Sequence, residues 1–215
     1  MSRKTRLALF SLSLLGACLH APRVDAIVDV LAGPKFGWTV TTFTGDSDDA
    51  TKTKNSFVGG AVVAWQVKRW FLVQLEPAFT GKGADLQTPK GFEGATELKL
   101  SYFEIPLVAK FRYPAKEHGS MGPFGIFGPV LSINTKATLV RAGFQENFNQ
   151  NITDVDFGLA VGAGFDFDAG PGVATLDLRW VTGLTDLFKG DAKQLLGSNR
   201  NQAMQLTASW VVSLF

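Results

Sequence analysis

The stretch VDFGLAVGAGFDFD, Val155 to Asp168, alternates without a break. Val155, Phe157, Leu159, Val161, Ala163, Phe165 and Phe167 are apolar, whereas Asp156, Gly158, Ala160, Gly162, Gly164, Asp166 and Asp168 are small or acidic. Successive side chains of a strand point to opposite faces of its sheet, so a period of two held this long predicts a two-faced β-strand. The rhythm recurs along the chain and predicts eight strands, over Val28–Thr44, Phe57–Val67, Phe71–Lys82, Glu97–Tyr113, Gly122–Asn134, Asp154–Asp168, Val173–Leu184 and Ala203–Phe215. No convincing helical period and no internal repeat beyond the hairpin rhythm accompanies it.

The connections fall into two kinds that alternate in strict order. Lys68–Trp70, Pro114–Met121 and Ala169–Gly172 are short, the last being an Ala-Gly-Pro-Gly tight-turn composition. Gly45–Ser56, Gly83–Thr96, Thr135–Thr153 and Thr185–Gln202 are long and polar. In an antiparallel meander this order gathers every long loop at one end, which is how bacterial outer-membrane barrels are built. Strand length agrees, because a strand tilted across a bilayer needs about 9 to 11 residues and a globular strand about 5 to 6.

Which face looks inward follows from charge density. One face of the fourth strand carries Leu98 or Leu100 and then Phe103, Ile105, Leu107, Ala109, Phe111 and Tyr113, and the other Tyr102, Glu104, Pro106, Val108, Lys110 and Arg112. The seventh strand opposes Ala174, Leu176, Leu178 and Trp180 to Thr175, Asp177, Arg179 and Val181; the third opposes Phe71, Val73, Leu75, Pro77 and Phe79 to Leu72, Gln74, Glu76 and Ala78. A water-facing wall usually carries more charge than these polar faces do. A narrow interior needs few charges, mutually paired, so Glu76, Glu104, Asp156, Asp166 and Asp177 are expected to meet Lys110, Arg112 and Arg179 in a bridged lumen network. The apolar faces then contact lipid, with Trp38, Trp65, Trp70, Tyr113, Trp180 and Trp210 placed for interfacial girdles. The inward glycines leave gaps for bulky neighbours, because eight strands enclose a space only just wide enough for side chains.

The start of the chain reads as an export signal. Arg3, Lys4 and Arg6 form a basic region, Leu7–Ala17 an apolar core too short to span a bilayer, and Val24-Asp25-Ala26 a cleavage site, so residues 1–26 are expected to be removed and 27–215 to form the barrel. This segment holds four of the 21 basic and one of the 19 acidic residues, leaving 17 against 18, so nothing suggests nucleic acid as a partner. The single cysteine, Cys18, lies inside it; Leu15-Gly16-Ala17-Cys18 also resembles a bacterial lipobox, which would make Cys18 a lipidated N-terminus instead. Phe215 supplies a terminal aromatic of the kind that barrel-assembly machinery reads, although it is out of phase with the apolar face Met204, Leu206, Ala208, Trp210, Val212 and Leu214.

Several short motifs occur in a telling order: Gln74-Leu75-Glu76-Pro77 with Lys82-Gly83, the segment Tyr102–Arg112, Phe127-Gly128-Pro129, Asp156-Phe157-Gly158 with Gly162-Ala163-Gly164, and Arg179-Trp180 with Gly183-Leu184-Thr185-Asp186. In that order they resemble the PorT-like outer membrane protein β-barrel domain family. The resemblance implies an all-β, eight-stranded antiparallel up-and-down transmembrane barrel and carries over no catalytic residue.

Candidate chemistry is sparse. His20 falls in the leader, and His118 with Ser120 in a short turn lacking a third partner, so the histidine or serine dyad of lipid-modifying barrels is not expected. Asp46, Asp48 and Asp49 have Ala50 and Thr51 where a calcium loop needs a ligand and a glycine. No catalytic residue, cofactor or metal is therefore expected. The expectation is an integral outer-membrane barrel with a structural or loop-mediated binding role, in contact with lipid and with an extracellular ligand or envelope protein of unknown identity. A narrow channel or, more remotely, a lipid-acting enzyme are the alternatives.

Overall fold

The computed structural model describes residues 29–45, 51–86, 95–113, 121–141, 144–190, 193–194 and 197–214. The expected leader with Cys18, the acidic loop residues Asp46, Asp48 and Asp49, the turn residues His118 and Ser120, and the terminal Phe215 lie outside them.

The strands are β1 (Asp29–Gly45), β2 (Thr51–Lys52), β3 (Lys54–Lys68), β4 (Phe71–Leu75), β5 (Ala78–Leu86), β6 (Ala95–Arg112), β7 (Met121–Arg141), β8 (Phe144–Asn147), β9 (Val155–Ala169), β10 (Gly172–Gly183) and β11 (Asn199–Ser213). All pairings between them are antiparallel. β1 pairs with β3 on one side and with β11 on the other, Leu31 opposite Ser213 and Gly45 opposite Asn199, which closes the sheet. β4 and β5 lie end to end between β3 and β6, so the wall has eight staves, β1, β3, β4/β5, β6, β7, β9, β10 and β11. Closure leaves no open edge in the wall, the condition for a sheet to sit in hydrocarbon.

Several boundaries differ from the sequence reading. The third stave is interrupted at Glu76-Pro77, because proline has no N–H for the ladder; the Pro77 carbonyl still accepts the Ala61 N–H at 3.0 Å. β7 continues to Arg141 and turns back through β8, where a loop was expected. An irregularity between Ser101 and Tyr102, facing Thr135, shifts the alternation there, and the long β6 supplies partners as far as Ala95 opposite Arg141. β11 starts at Asn199 because Thr44 and Gly45 pair with Arg200 and Asn199.

The apolar faces form the outside. Phe36, Phe57, Leu107, Phe127, Phe157, Val161, Phe165, Leu178 and Leu206 are all exposed, whereas Asp156, Asp166, Asp177 and Arg179 are buried inside. Aromatic rings gather at two levels of this wall. Trp70 stacks on Phe111 with centroids 6.1 Å apart beside Phe71 and Tyr113, near the short turns. Trp38 meets Phe57 edge-on at 4.6 Å, and Phe79 lies 5.0 Å from Phe103, towards the long loops. Phe157 to Phe167 spans roughly 33 Å of strand, or about 25 Å along the normal at a tilt near 40°, the height of an apolar transmembrane band. Among the described residues no helix is long and apolar enough to cross a membrane.

Candidate functional site

The inward faces build a chemically distinctive region, a lumen in which ion pairs alternate with apolar layers. At the short-turn end Leu31, Val62, Ala64, Leu72 and Val211 pack together. Val108, Val130, Ala160, Val181 and Ala203 line the middle. At the long-loop end Phe43, Leu98, Leu100, Tyr102 and Leu139 of the staves meet Phe148, Ile152, Leu187 and Phe188, which the external loops fold in as a stopper.

Three ionic groups lie between these layers. Nearest the short turns, Lys110 donates to Asp166 at 2.7 Å, and the Thr175 hydroxyl donates to the same oxygen at 2.7 Å. The Lys110 ammonium also sits 3.9 Å from the centre of the Phe124 ring. Phe124 itself fits because Gly164 has no side chain; a Cβ there would stand 2.6 Å from the ring. Next, Lys35 and Arg179 both donate to one Glu76 oxygen at 2.5 Å; Arg179 reaches Asp177 at 2.6 Å, and Thr207 donates to Asp177 at 2.5 Å. Gly162 clears the way for Arg179, whose Cβ would lie 2.7 Å from a side chain on that glycine. Higher still, Lys82 pairs with Glu104 at 2.5 Å, and Thr80, Ser132 and Gln205 donate to Glu104 at 2.9, 3.2 and 3.4 Å.

Burying a charge costs several kcal/mol unless it is paired and hydrogen-bonded, and these groups meet that condition except at Asp166 Oδ2, which accepts no hydrogen bond among the described residues and has Arg112 at 3.9 Å. The groupings reach across the barrel. Glu76 and Arg179 stand on opposite staves, four apart around the ring of eight, as do Glu104 and Gln205, and Tyr102 with Asn201 at 3.3 Å.

Of the residues singled out from sequence, Glu76, Glu104, Lys110, Asp166, Asp177 and Arg179 fall into these groups. Arg112 stands at the short-turn mouth, 3.9 Å from Asp166, and spends its donors on Gln66 at 2.7 Å and the Arg69 carbonyl at 3.0 Å. Asp156 departs from the expected pairing: no cation stands within salt-bridge distance among the described residues, and it accepts the Thr185 N–H at 3.3 Å under the stopper. Lys35 and Lys82 are the two cations the sequence reading left out. Their signal was present, since Lys35 shares the phase of Leu31, Gly33, Gly37 and Thr39, and Lys82 that of Glu76, Ala78 and Thr80. Among the described residues no group of three His, Cys, Asp or Glu side chains is placed to hold a metal.

No curated protein matches the chain. Among solved structures it is similar to the Neisserial surface protein A, NspA, at 12% identity over 86% of this chain and 97% of that one with a TM-score of 0.52. It is also similar to OprG of Pseudomonas aeruginosa, at 14% identity over 86% and 95% with a TM-score of 0.51. At such identities the likeness speaks for the fold alone. The profile of the outer membrane protein beta-barrel domain matches residues 28–189, and with a closed antiparallel wall that is apolar outside and ionic within, the chain belongs to that family of the bacterial outer membrane.

Proposed function

We propose that this barrel is a non-conducting, non-catalytic scaffold that presents its external loops as a binding surface for an extracellular ligand or another envelope protein. One observation carries the reading: buried side chains bridge the lumen between opposite staves, through Arg179 to Glu76 and Gln205 to Glu104, below an apolar stopper of Phe148, Ile152, Leu187 and Phe188. Opening a path for ions would part these charges in a low-dielectric interior, at a cost of several kcal/mol per unpaired ion. A barrel whose lumen is filled this way is left with the loop end as its contact surface, where β7 and β8 project as a hairpin with Phe144 uncovered. The order of the motifs from Gln74 to Asp186 favours the PorT-like branch of the family, and we assign assembly to recognition of the terminal Phe215. Export by a cleaved signal at residues 1–26 belongs to the same reading.

Purified barrel in planar bilayers is expected to show no stepwise conductance at potentials up to 100 mV or so. Reproducible single-channel openings would overturn the proposal and favour a narrow channel.

A further inference from the structure

We infer that the outer wall of β5, β6 and β7 carries a site for an outer-leaflet glycolipid whose head bears a phosphomonoester. The wall gives the height of the site. Phe57, Phe79 and Phe103 point outward at the aromatic level near the long loops, and Ile105, Leu107, Phe127 and Leu131 continue below them as apolar surface. One rung above Phe103 and Ile133, exposed Ser101 stands opposite exposed Lys136; one rung further, exposed Lys99 stands opposite Thr138. Lys99 and Lys136 are therefore diagonal neighbours on one face, about 7–8 Å apart at the backbone, and both ammonium groups can reach a single phosphate.

The charge around them is unbalanced. Lys54 and Lys99 share the Glu97 carboxylate, Lys99 at 3.0 Å, while Lys136 makes no ion pair among the described residues. With Asp85 opposite Glu97, Lys52 opposite Asp85 and Glu146 lining a pocket with Lys136, four lysines stand against three carboxylates, an excess of one positive charge where lipid headgroups begin. Directly beside them a groove of about 240 Å³ opens to the lipid side between Phe57, Phe79, Gly81 and Ser101, with Thr80 and Tyr102 as its floor. Ser101 belongs to both features. A phosphate held by Lys99 and Lys136, with Ser101 as a hydroxyl donor, sets the first part of an acyl chain over the Phe57 and Phe79 rings. A free phosphate has no use for the groove, and an uncharged lipid none for the lysines.

The test is native mass spectrometry of the full barrel in detergent, titrated with lipid A or with lipid A stripped of its phosphates. Retention of lipid A, at least tenfold stronger than of the stripped form, is expected, with a comparable loss in K99Q/K136Q. Ser101→Leu fills the groove without touching charge and is expected to weaken lipid A severalfold. Lys68→Gln, at the opposite girdle over Trp70, is expected to bind as the parent does. Equal retention of the two lipids, or an equal loss in K68Q, overturns the site. All three variants are exposed on the outer face, and the faster migration of unboiled barrel on a gel verifies that each is folded.

Discussion

Replacing Glu76 by glutamine removes one negative charge from the most connected point of the lumen. In the native barrel its carboxylate receives Lys35 and Arg179, both at 2.5 Å, and all of these side chains are buried. The substitution leaves Lys35 and Arg179 facing each other with Asp177 as their one remaining counter-ion. Removing one partner of a buried pair costs about 3–5 kcal/mol, because the residual charge has neither water nor an anion. With a guanidinium dependence of about 4 kcal/mol/M, the unfolding midpoint falls by about 1 M. The assay is guanidinium unfolding in detergent, followed by tryptophan fluorescence and by the difference in migration between boiled and unboiled protein. Adding Lys35→Met restores the charge balance, so the double variant is expected to recover most of the loss, and the cycle to show a coupling above about 1.5 kcal/mol. A midpoint for E76Q equal to the parent's, or a double variant no better than E76Q, refutes the claim that charge matching stabilises the lumen.

Other consequences are open to measurement. Val161→Arg puts a cation on the lipid wall and is expected to destabilise the barrel by about 2–4 kcal/mol in bilayers, whereas Phe144→Arg on the external hairpin stays within about 0.5 kcal/mol; equal effects would mean that Val161 does not face lipid. Phe188→Ala removes a stopper ring that meets Phe43 edge-on at 6.1 Å, and is expected to cost about 3–5 kcal/mol without producing conductance, because the Lys82–Glu104 group still lies beneath. In the last external loop, the Lys193 ammonium and then the Ser198 hydroxyl hold the exposed Asp186 carboxyl below the ordinary carboxylate range. A depressed carboxyl stabilises above its unfolded value and loses that contribution as pH falls through the folded value. Amide exchange at Leu187, whose N–H is held by the Asn199 carbonyl at 2.7 Å, is therefore expected to accelerate relative to Val181 below about pH 4, and Asp186→Asn to abolish that difference.

The sequence by itself determined the wall. Strict alternation in Val155–Asp168 says which residues share a face, because the period of a strand is a local property of backbone geometry, and the order of short and long connections says which loops share an end. From these came eight staves, grease outward, and six of the inward ionic residues in the places where the fold groups them. What the tertiary structure alone decided was who meets whom. Arg179 finds Glu76 across four staves, Lys35 joins them from β1, and Asp156 is left to cap the Thr185 N–H. Those pairings depend on how far each strand is staggered against the next as the sheet closes, a sum over the whole ring that no single stretch of the chain contains. The stopper has the same origin: Phe148 and Phe188 read as loop residues in sequence, and only closure of the barrel provides the apolar mouth into which they fold.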